Sequence, residues 1–191
     1  LTQLVLVIAG VMFLVIMTLI ASTNRTLDNE MARKGYDARI GFLRDQRTER
    51  AVPMAMTVPG VETAEMWLSR SATILREGER LQDSAGLGAQ LTGLPSDSTM
   101  QRPLIIHGRW LEPGDGRVIV ITQDSAEDNH IAIGDTIRLD LGVLGDDEWQ
   151  VIGTYKIVSG ADFTTEAIYA PLEAVVDVTK QANRGNHLYV T

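Results

Sequence analysis

Residues able to do chemistry are plentiful in this chain, yet none falls into a spacing that a reaction requires. The three histidines, His107, His130 and His187, lie far apart, and none shares a helical i,i+4 spacing with another metal ligand. A hydrolytic zinc site needs three protein ligands around an open position, so satisfied or exposed histidines are expected and no metal is assigned. Asp124, Glu127 and Asp128, with Asp146, Asp147 and Glu148, offer oxygen ligands to a hard cation, but no Asp-x-Asp-x-Asp-Gly loop occurs. That acidic run is expected to be a solvated face and turn. No serine lies in Gly-x-Ser-x-Gly or Ser-x-x-Lys. Gly86-Leu87-Gly88-Ala89-Gln90-Leu91 has the first two glycines of a dinucleotide fingerprint, with Leu91 where the third belongs. It also opens a strand where that motif needs a helix to receive the phosphate. With no phosphate loop either, the chain shows no ATP site, and no cofactor is expected. Cysteine is absent, which excludes disulfides, thiol catalysis and cysteine-ligated metal. Catalysis therefore has no positive support, and the domain is expected not to be an enzyme.

The richest remaining stretch runs from Arg102 through Pro103, Ile106, His107, Gly108, Arg109, Trp110 and Pro113 to Gly114-Asp115. Gly108 and Gly114 permit turns, and Trp110 suits a packing position between lobes. Arg109 and Trp110 are also the two candidates for contact with a cargo or a partner protein.

These residues must be held by an element of another kind. Leu1 to Asn24 contains no charged side chain. At about 1.5 Å of rise per residue, roughly 20 residues match a hydrocarbon core of about 30 Å. A membrane-spanning helix is therefore expected over residues 1–23. No Lys or Arg precedes the run, as a signal peptide requires, and the start at Leu1 suggests a piece of a longer polypeptide. Thr23 to Gly35 has no Pro or internal Gly, and Leu27 and Met31 are spaced i,i+4, so the helix is expected to continue as a stalk over 24–35 and stop at Gly35. The net charge of −8 argues against nucleic acid. Arg25, Arg33, Lys34 and Arg39 are interleaved with Asp28, Glu30 and Asp37, so no polybasic lipid-binding run forms.

Beyond the stalk, Tyr36 to Leu43 alternates as a first strand. Asp45 is a candidate cap for a helix in Gln46 to Val58, or Pro53 opens a shorter one, and Pro59-Gly60 ends it. Strands follow over Val61 to Leu75 and Leu87 to Leu94, with a turn at Gly78 to Arg80 between them. Short strands then alternate with Gly-Asp turns across Gln101 to Val158, with one helix near Asp124 to Asn129. Glu166 to Ala170 is a strand, Pro171 suits a first helical position, and a helix to Gln181 and a last strand from His187 complete the chain. Setting 100–159 aside leaves strand, helix, strand, strand, helix, strand, the split βαβ or ferredoxin-like order. The expected fold is thus α+β: a ferredoxin-like lobe from 36–99 and 160–191, with a small β-rich lobe inserted at 100–159.

The pieces from Gly108-Arg109 through Val118-Ile119-Val120-Ile121, Ala126, Ile133-Gly134-Asp135-Thr136-Ile137 and Val151-Ile152-Gly153 stand in an order that resembles the extracytoplasmic domain of FtsX/MacB-like ABC-transporter permeases. Pro59-Gly60-Val61 before a strand and a spanning helix upstream fit the same pattern, and Thr26 to Phe42 looks most like the second large external domain of permeases that carry two. The resemblance implies a domain outside the cytoplasmic membrane with no catalytic residues of its own. It implies a separate cytoplasmic ATPase subunit as partner, a stalk that transmits motion, membrane lipid around the anchor, and lobes that engage lipid or peptide cargo or an extracytoplasmic protein. A single-span sensor or adaptor, or a membrane-tethered hydrolase, would carry a similar anchor. Further apolar spans beyond Thr191 would distinguish the permease from the sensor.

Overall fold

The computed structural model describes residues 2–76, 79–80, 89–156 and 166–191. Gly78, the glycines of the truncated fingerprint and the end of the strand expected to reach Ile157 lie outside them. Helix α1, Thr2–Arg33, is a single run of 32 residues, about 48 Å long at the helical rise. Its segment Val7–Arg25 has a mean hydropathy of 2.1 and none of it is buried. Val11, Phe13, Leu14 and Ile16 are all more than half exposed, so the apolar surface runs around the helix. By length and composition this helix is apolar enough to cross a membrane.

The helix ends at Arg33, two residues short of Gly35, and the reason is tertiary. Lys34 bridges to Gln101, the Gly35 amide donates to the Met100 carbonyl at 3.1 Å, and the Arg102 amide donates to the Arg33 carbonyl at 3.1 Å. A Cβ on Gly35 would collide with the Thr99 carbonyl oxygen. Gly35 therefore permits a close backbone crossing, where a helix stop was expected.

The rest is one mixed sheet. Strand β1 is Ala38–Arg47, β2 Ala64–Arg76, β3 Glu79–Arg80, β4 Ala89–Leu94 and β5 Leu104–Gly108. Strand β6 is Val118–Thr122, β7 Thr136–Asp140, β8 Asp146–Lys156, β9 Glu166–Pro171 and β10 Arg184–Val190. The order is β1-β10-β2-β4-β9-β6-β8-β5, with β3 beside β2 and β7 beside both β2 and β8. Helix α2, Thr48–Met56, joins β1 to β2. Both strands run antiparallel to β10, which lies between them. They are therefore parallel to each other, a split βαβ unit. Helix α4, Leu172–Thr179, joins β9 to β10 in the same way, with β2 and β4 intervening. Helix α3, Gln123–Asp128, follows β6 with Thr122 as its cap, the Ser125 amide donating to its hydroxyl at 3.2 Å. The α+β class with split βαβ connections is as the sequence predicts.

Three local expectations are corrected. Asp45 does not cap α2: it sits within β1 and pairs with Arg70 at 2.6 Å, while the helix begins after Arg47 with no side-chain cap. Pro53 lies inside α2 rather than opening it. Pro171 likewise ends β9 and precedes α4 as its N-cap.

Two hydrophobic clusters support the sheet. The larger gathers Leu68, Leu91, Ile119, Ile121, Trp149 and Val175 with their neighbours. The smaller holds Trp67, Leu94, Met100, Leu111, Val120, Tyr155 and Tyr189, with Tyr36, Trp110 and Tyr169 packed against it.

Candidate functional site

Arg109 and Trp110 follow β5 in a loop whose shape begins at Gly108. This glycine has φ +73°, and a Cβ there would run into the Ile152 carbonyl oxygen of β8; only glycine accepts both conditions without strain. The Arg109 amide then donates to the same Ile152 carbonyl at 3.1 Å. Its guanidinium forks onto Asp115, Nη1 to Oδ2 at 2.8 Å and Nη2 to Oδ1 at 2.7 Å, while Nη1 also donates to the Trp110 carbonyl at 3.0 Å. Asp115 Oδ2 accepts the Glu112 amide at 2.8 Å, and the Asp115 amide donates to the Glu112 carbonyl at 3.1 Å. The loop is thus closed by its own polar groups.

The electrostatics follow from that fork. The hydrogen bond from Arg109 holds the Asp115 carboxyl below the usual carboxylate range, against burial, which pushes the other way. The hydrogen bond to Asp115 in turn raises the Arg109 guanidinium further. Both groups stay charged through the neutral range, so the pair is a fixed clamp and has no proton to transfer there.

Trp110 is half-buried. Its ring meets Tyr169 of β9 edge-on, centroids 5.2 Å apart, and Tyr169 lies 5.3 Å from Tyr155 of β8. The Tyr155 hydroxyl donates to the Ala167 carbonyl at 2.7 Å, and Gln101 Nε2 donates to the Tyr169 hydroxyl at 3.3 Å. Burial raises the Tyr169 pKa well above its ordinary value, so its hydroxyl stays protonated. On the far side of the same cluster Trp67 stacks on Tyr189 at 3.9 Å, and Tyr36, three residues beyond α1, meets Tyr189 at 4.8 Å. One hydrophobic cluster, holding both groups of rings, therefore reaches from the foot of α1 to Trp110.

The other residues singled out in sequence are scattered. His107 and His130 line one hollow of about 540 Å³ with Gln123, Glu127 and Thr154. Its polar groups bind each other, Gln123 to Glu127 and Thr154 to Gln123, both at 2.6 Å. His187 is remote, on β10. Among the described residues no three His, Asp or Glu side chains converge. Of the acidic run, Asp147 pairs with Arg117 at 2.6 Å and Asp146 with Arg138.

Sequence reasoning passed over a trough between α2 and the sheet face made by β1 and β10, about 630 Å³ in volume. Arg50 and Met54 of its helical wall, and Val58 just beyond the helix, recur at i, i+4 and i+8, a spacing already present in the sequence. What the spacing does not reveal is that nothing among the described residues covers the face.

Two solved structures share this fold. The periplasmic region of MacB from Actinobacillus actinomycetemcomitans is 12% identical with a TM-score of 0.59, the likeness covering 80% of this chain and 72% of that one. The extracellular domain of the noncanonic ABC-type transporter YknZ from Gram-positive bacteria is 16% identical with a TM-score of 0.55, over 80% of this chain and 81% of that one. No curated protein sequence matches the chain. The model of one family, the MacB-like periplasmic core domain, matches residues 1–191, the full span from the apolar helix to the last strand. The ordered pieces between Gly108 and Gly153 belong to that pattern, and the chain is a member of the MacB-like periplasmic core domain family.

Proposed function

We propose that this chain is the extracytoplasmic domain of the permease subunit of an ABC transporter, and that α1 carries motion between the membrane and the domain. The energy comes from a separate cytoplasmic ATPase subunit. The observation that carries the reading is the unbroken helix and its foot. The 32 residues of α1 contain no proline, and interior proline is the commonest cause of a sharp kink. Backbone hydrogen bonds fasten its end to the 100–102 segment, and Tyr36 continues it into the aromatic cluster. A rigid helix joined to a packed cluster moves it as a body. In this reading residues 1–23 span the membrane and 24–35 form the stalk. The lobe of 36–99 and 160–191 receives the motion, and the inserted lobe of 100–159 presents Arg109 and Trp110 to cargo or to a partner protein outside the cytoplasmic membrane.

A test uses the assembled transporter in lipid vesicles, with a spin label at the fully exposed Val143 and a paramagnetic lipid marking the bilayer surface. ATP should change the distance between the two. Inserting two glycines after Met31 should abolish that change while ATP hydrolysis continues. An unchanged nucleotide response in the insertion variant would overturn the stalk reading.

A further inference from the structure

The trough beside α2 is more apolar than the hollow lined by His107 and His130. No residue of α2 is buried. Its inward face, Ala51, Ala55 and the flanking Met54 and Val58, stands off from Ile40 and Phe42 of β1 and from Leu188 and Val190 of β10. Strand β1 helps to open the space. Its pairing with β10 jumps from Gly41↔His187 to Gln46↔Gly185, so five steps along β1 answer two along β10 and residues 42–45 bow away from the ladder. The result is an apolar hollow within the ~300–1,000 Å³ range of small-molecule sites.

Its one polar end is basic. Arg47 and Arg50 line the trough where α2 begins, both are exposed, and among the described residues neither guanidinium has an ion-pair partner. The nearby Asp45 is engaged by Arg70. The helix N-terminus adds positive potential at the same end, although Asn183 already accepts the first two amides, Thr48 N at 3.2 Å and Glu49 N at 3.0 Å. From Arg50 the helical wall runs six residues to Met56, about 9 Å, and Val58 and Val61 just beyond it line the far end with Val190. In a chain of net charge −8, two unpaired arginines at the mouth of an apolar slot are a local reversal of sign.

We propose that this trough binds the tail of a single-chain anionic amphiphile, with its carboxylate or phosphate headgroup held by Arg47 and Arg50. Two other occupants fit less well. A helix ~10–12 Å across would fill the volume with only about four to five residues, too few to bury an amphipathic face. A second copy docking through the same face about a two-fold axis at its centre sets each arginine pair, which lies at one end of the trough, against the partner's apolar far end and leaves those charges without a counter-charge. The proposal is independent of the stalk reading, since binding requires no ATPase.

The test uses the full chain in phosphatidylcholine nanodiscs and three probes: a photoactivatable palmitate, a trimethylammonium amphiphile with the same tail, and inorganic phosphate as a tail-less competitor. Palmitate should label the peptides spanning 50–61 and 184–191. Labelling should fall about tenfold in R47A/R50A, which removes two charge-assisted contacts, and should largely survive in R47K/R50K. A55W, which fills the slot, should abolish it. The cationic probe should label only the 7–25 segment, and phosphate should compete weakly. Melting curves for each variant establish that it folds, and R47K/R50K decides the matter if A55W does not. Equal labelling in R47A/R50A, equal labelling of the trough by the cationic probe, or palmitate confined to 7–25 would overturn the proposal. Tighter displacement of palmitate by an acidic amphipathic peptide would replace the lipid with a peptide ligand.

Discussion

Helices α2 and α4 do the same topological work and are packed in opposite ways. Each crosses between parallel strands of a split βαβ unit, with nine residues in one and eight in the other. Helix α4 buries Ala174, Val175 and Thr179, and β4 admits it closely because residue 93 is glycine: a Cβ there would lie 3.0 Å from the Val175 side chain. Helix α2 buries nothing, and Met54, Met56 and Val58 are each about half exposed, at 58%, 45% and 54%. The difference arises from side chains. Beneath α4 small and branched residues interlock. Beneath α2, alanines face a bowed strand, and Pro53 removes one helical hydrogen bond. One sheet thus carries a close-packed crossover that stabilises it and a loosely packed one that leaves a surface open.

The largest test compares matched leucines under the two helices. Leu91, two residues from Gly93 and so on the face of β4 that α4 covers, is fully buried. Leu91→Ala should cost about 3–4 kcal/mol in chemical denaturation, the sum of lost transfer energy and a new cavity. Leu188 lines the trough, where part of its surroundings is already empty, so Leu188→Ala should cost nearer 2 kcal/mol. Equal losses would mean that α2 is packed as tightly as α4 in solution, and the contrast would fail.

How much of this was legible in sequence depends on the range over which each residue acts. The charge-free run that becomes α1, the βαβ order and the short helix α3 rest on local patterns and are readable in the sequence. Asp45 was misassigned as a cap because its partner, Arg70, lies 25 positions away. Gly35 reads locally as a helix stop because the Thr99 carbonyl that forbids a side chain there is more remote still. Strand β1 extends to Arg47 because Arg184 of β10 pairs with it, and no local rule announces that. At Arg109 the glycine, arginine and aspartate spacing points to a loop, but not to a guanidinium forked onto Asp115. The trough was the least legible feature, since periodicity marks an apolar face without showing whether anything packs on it.

Arg70 ties the two halves of the comparison together. Its guanidinium donates to Asp45 of β1 at 2.6 Å and to Gln181, just beyond α4, at 2.8 and 2.6 Å. Asp45→Ala leaves Arg70 with Gln181 and the Ser69 carbonyl but no carboxylate, and should cost about 1–2 kcal/mol, as for a partly buried charge-assisted bond. Asp45→Asn, which can still accept the hydrogen bond, should lose less. Amide hydrogen exchange should show where the loss falls: faster exchange in β1 and α2, with α4 unchanged. Acceleration in α4 alone would contradict the idea that α2 is the weaker crossover.

A smaller effect separates the two faces of β10. Leu188 and Val190 point into the trough, whereas His187 and Tyr189 lie on the opposite face. Burial, and to a lesser degree Arg39, lowers the His187 pKa. Its native pKa is below the unfolded value of about 6.5, so between the two the unfolded chain binds more protons and stability rises with pH. The contribution is complete above about pH 6.5 and is lost as pH falls through the native pKa. The melting temperature of the unaltered chain, less that of His187→Gln, should therefore climb across this window. A flat difference would show that the face of β10 remote from the trough is as open to water as the trough itself.

The smallest expected effect is the most direct statement about α2. Met54 is more than half exposed on the trough wall, so Met54→Ser removes apolar surface that folding has scarcely buried. Its stability should change by no more than about 0.5 kcal/mol, the range of ordinary surface substitutions. The consequence should appear in binding, because the removed side chain is available to contact whatever enters the trough. A loss of palmitate labelling with an unchanged denaturation midpoint would separate the two roles in one variant. A stability loss of 2 kcal/mol or more, the scale of a buried methionine truncation, would mean that the protein closes α2 onto the sheet by itself and that the open face belongs to the fold's core.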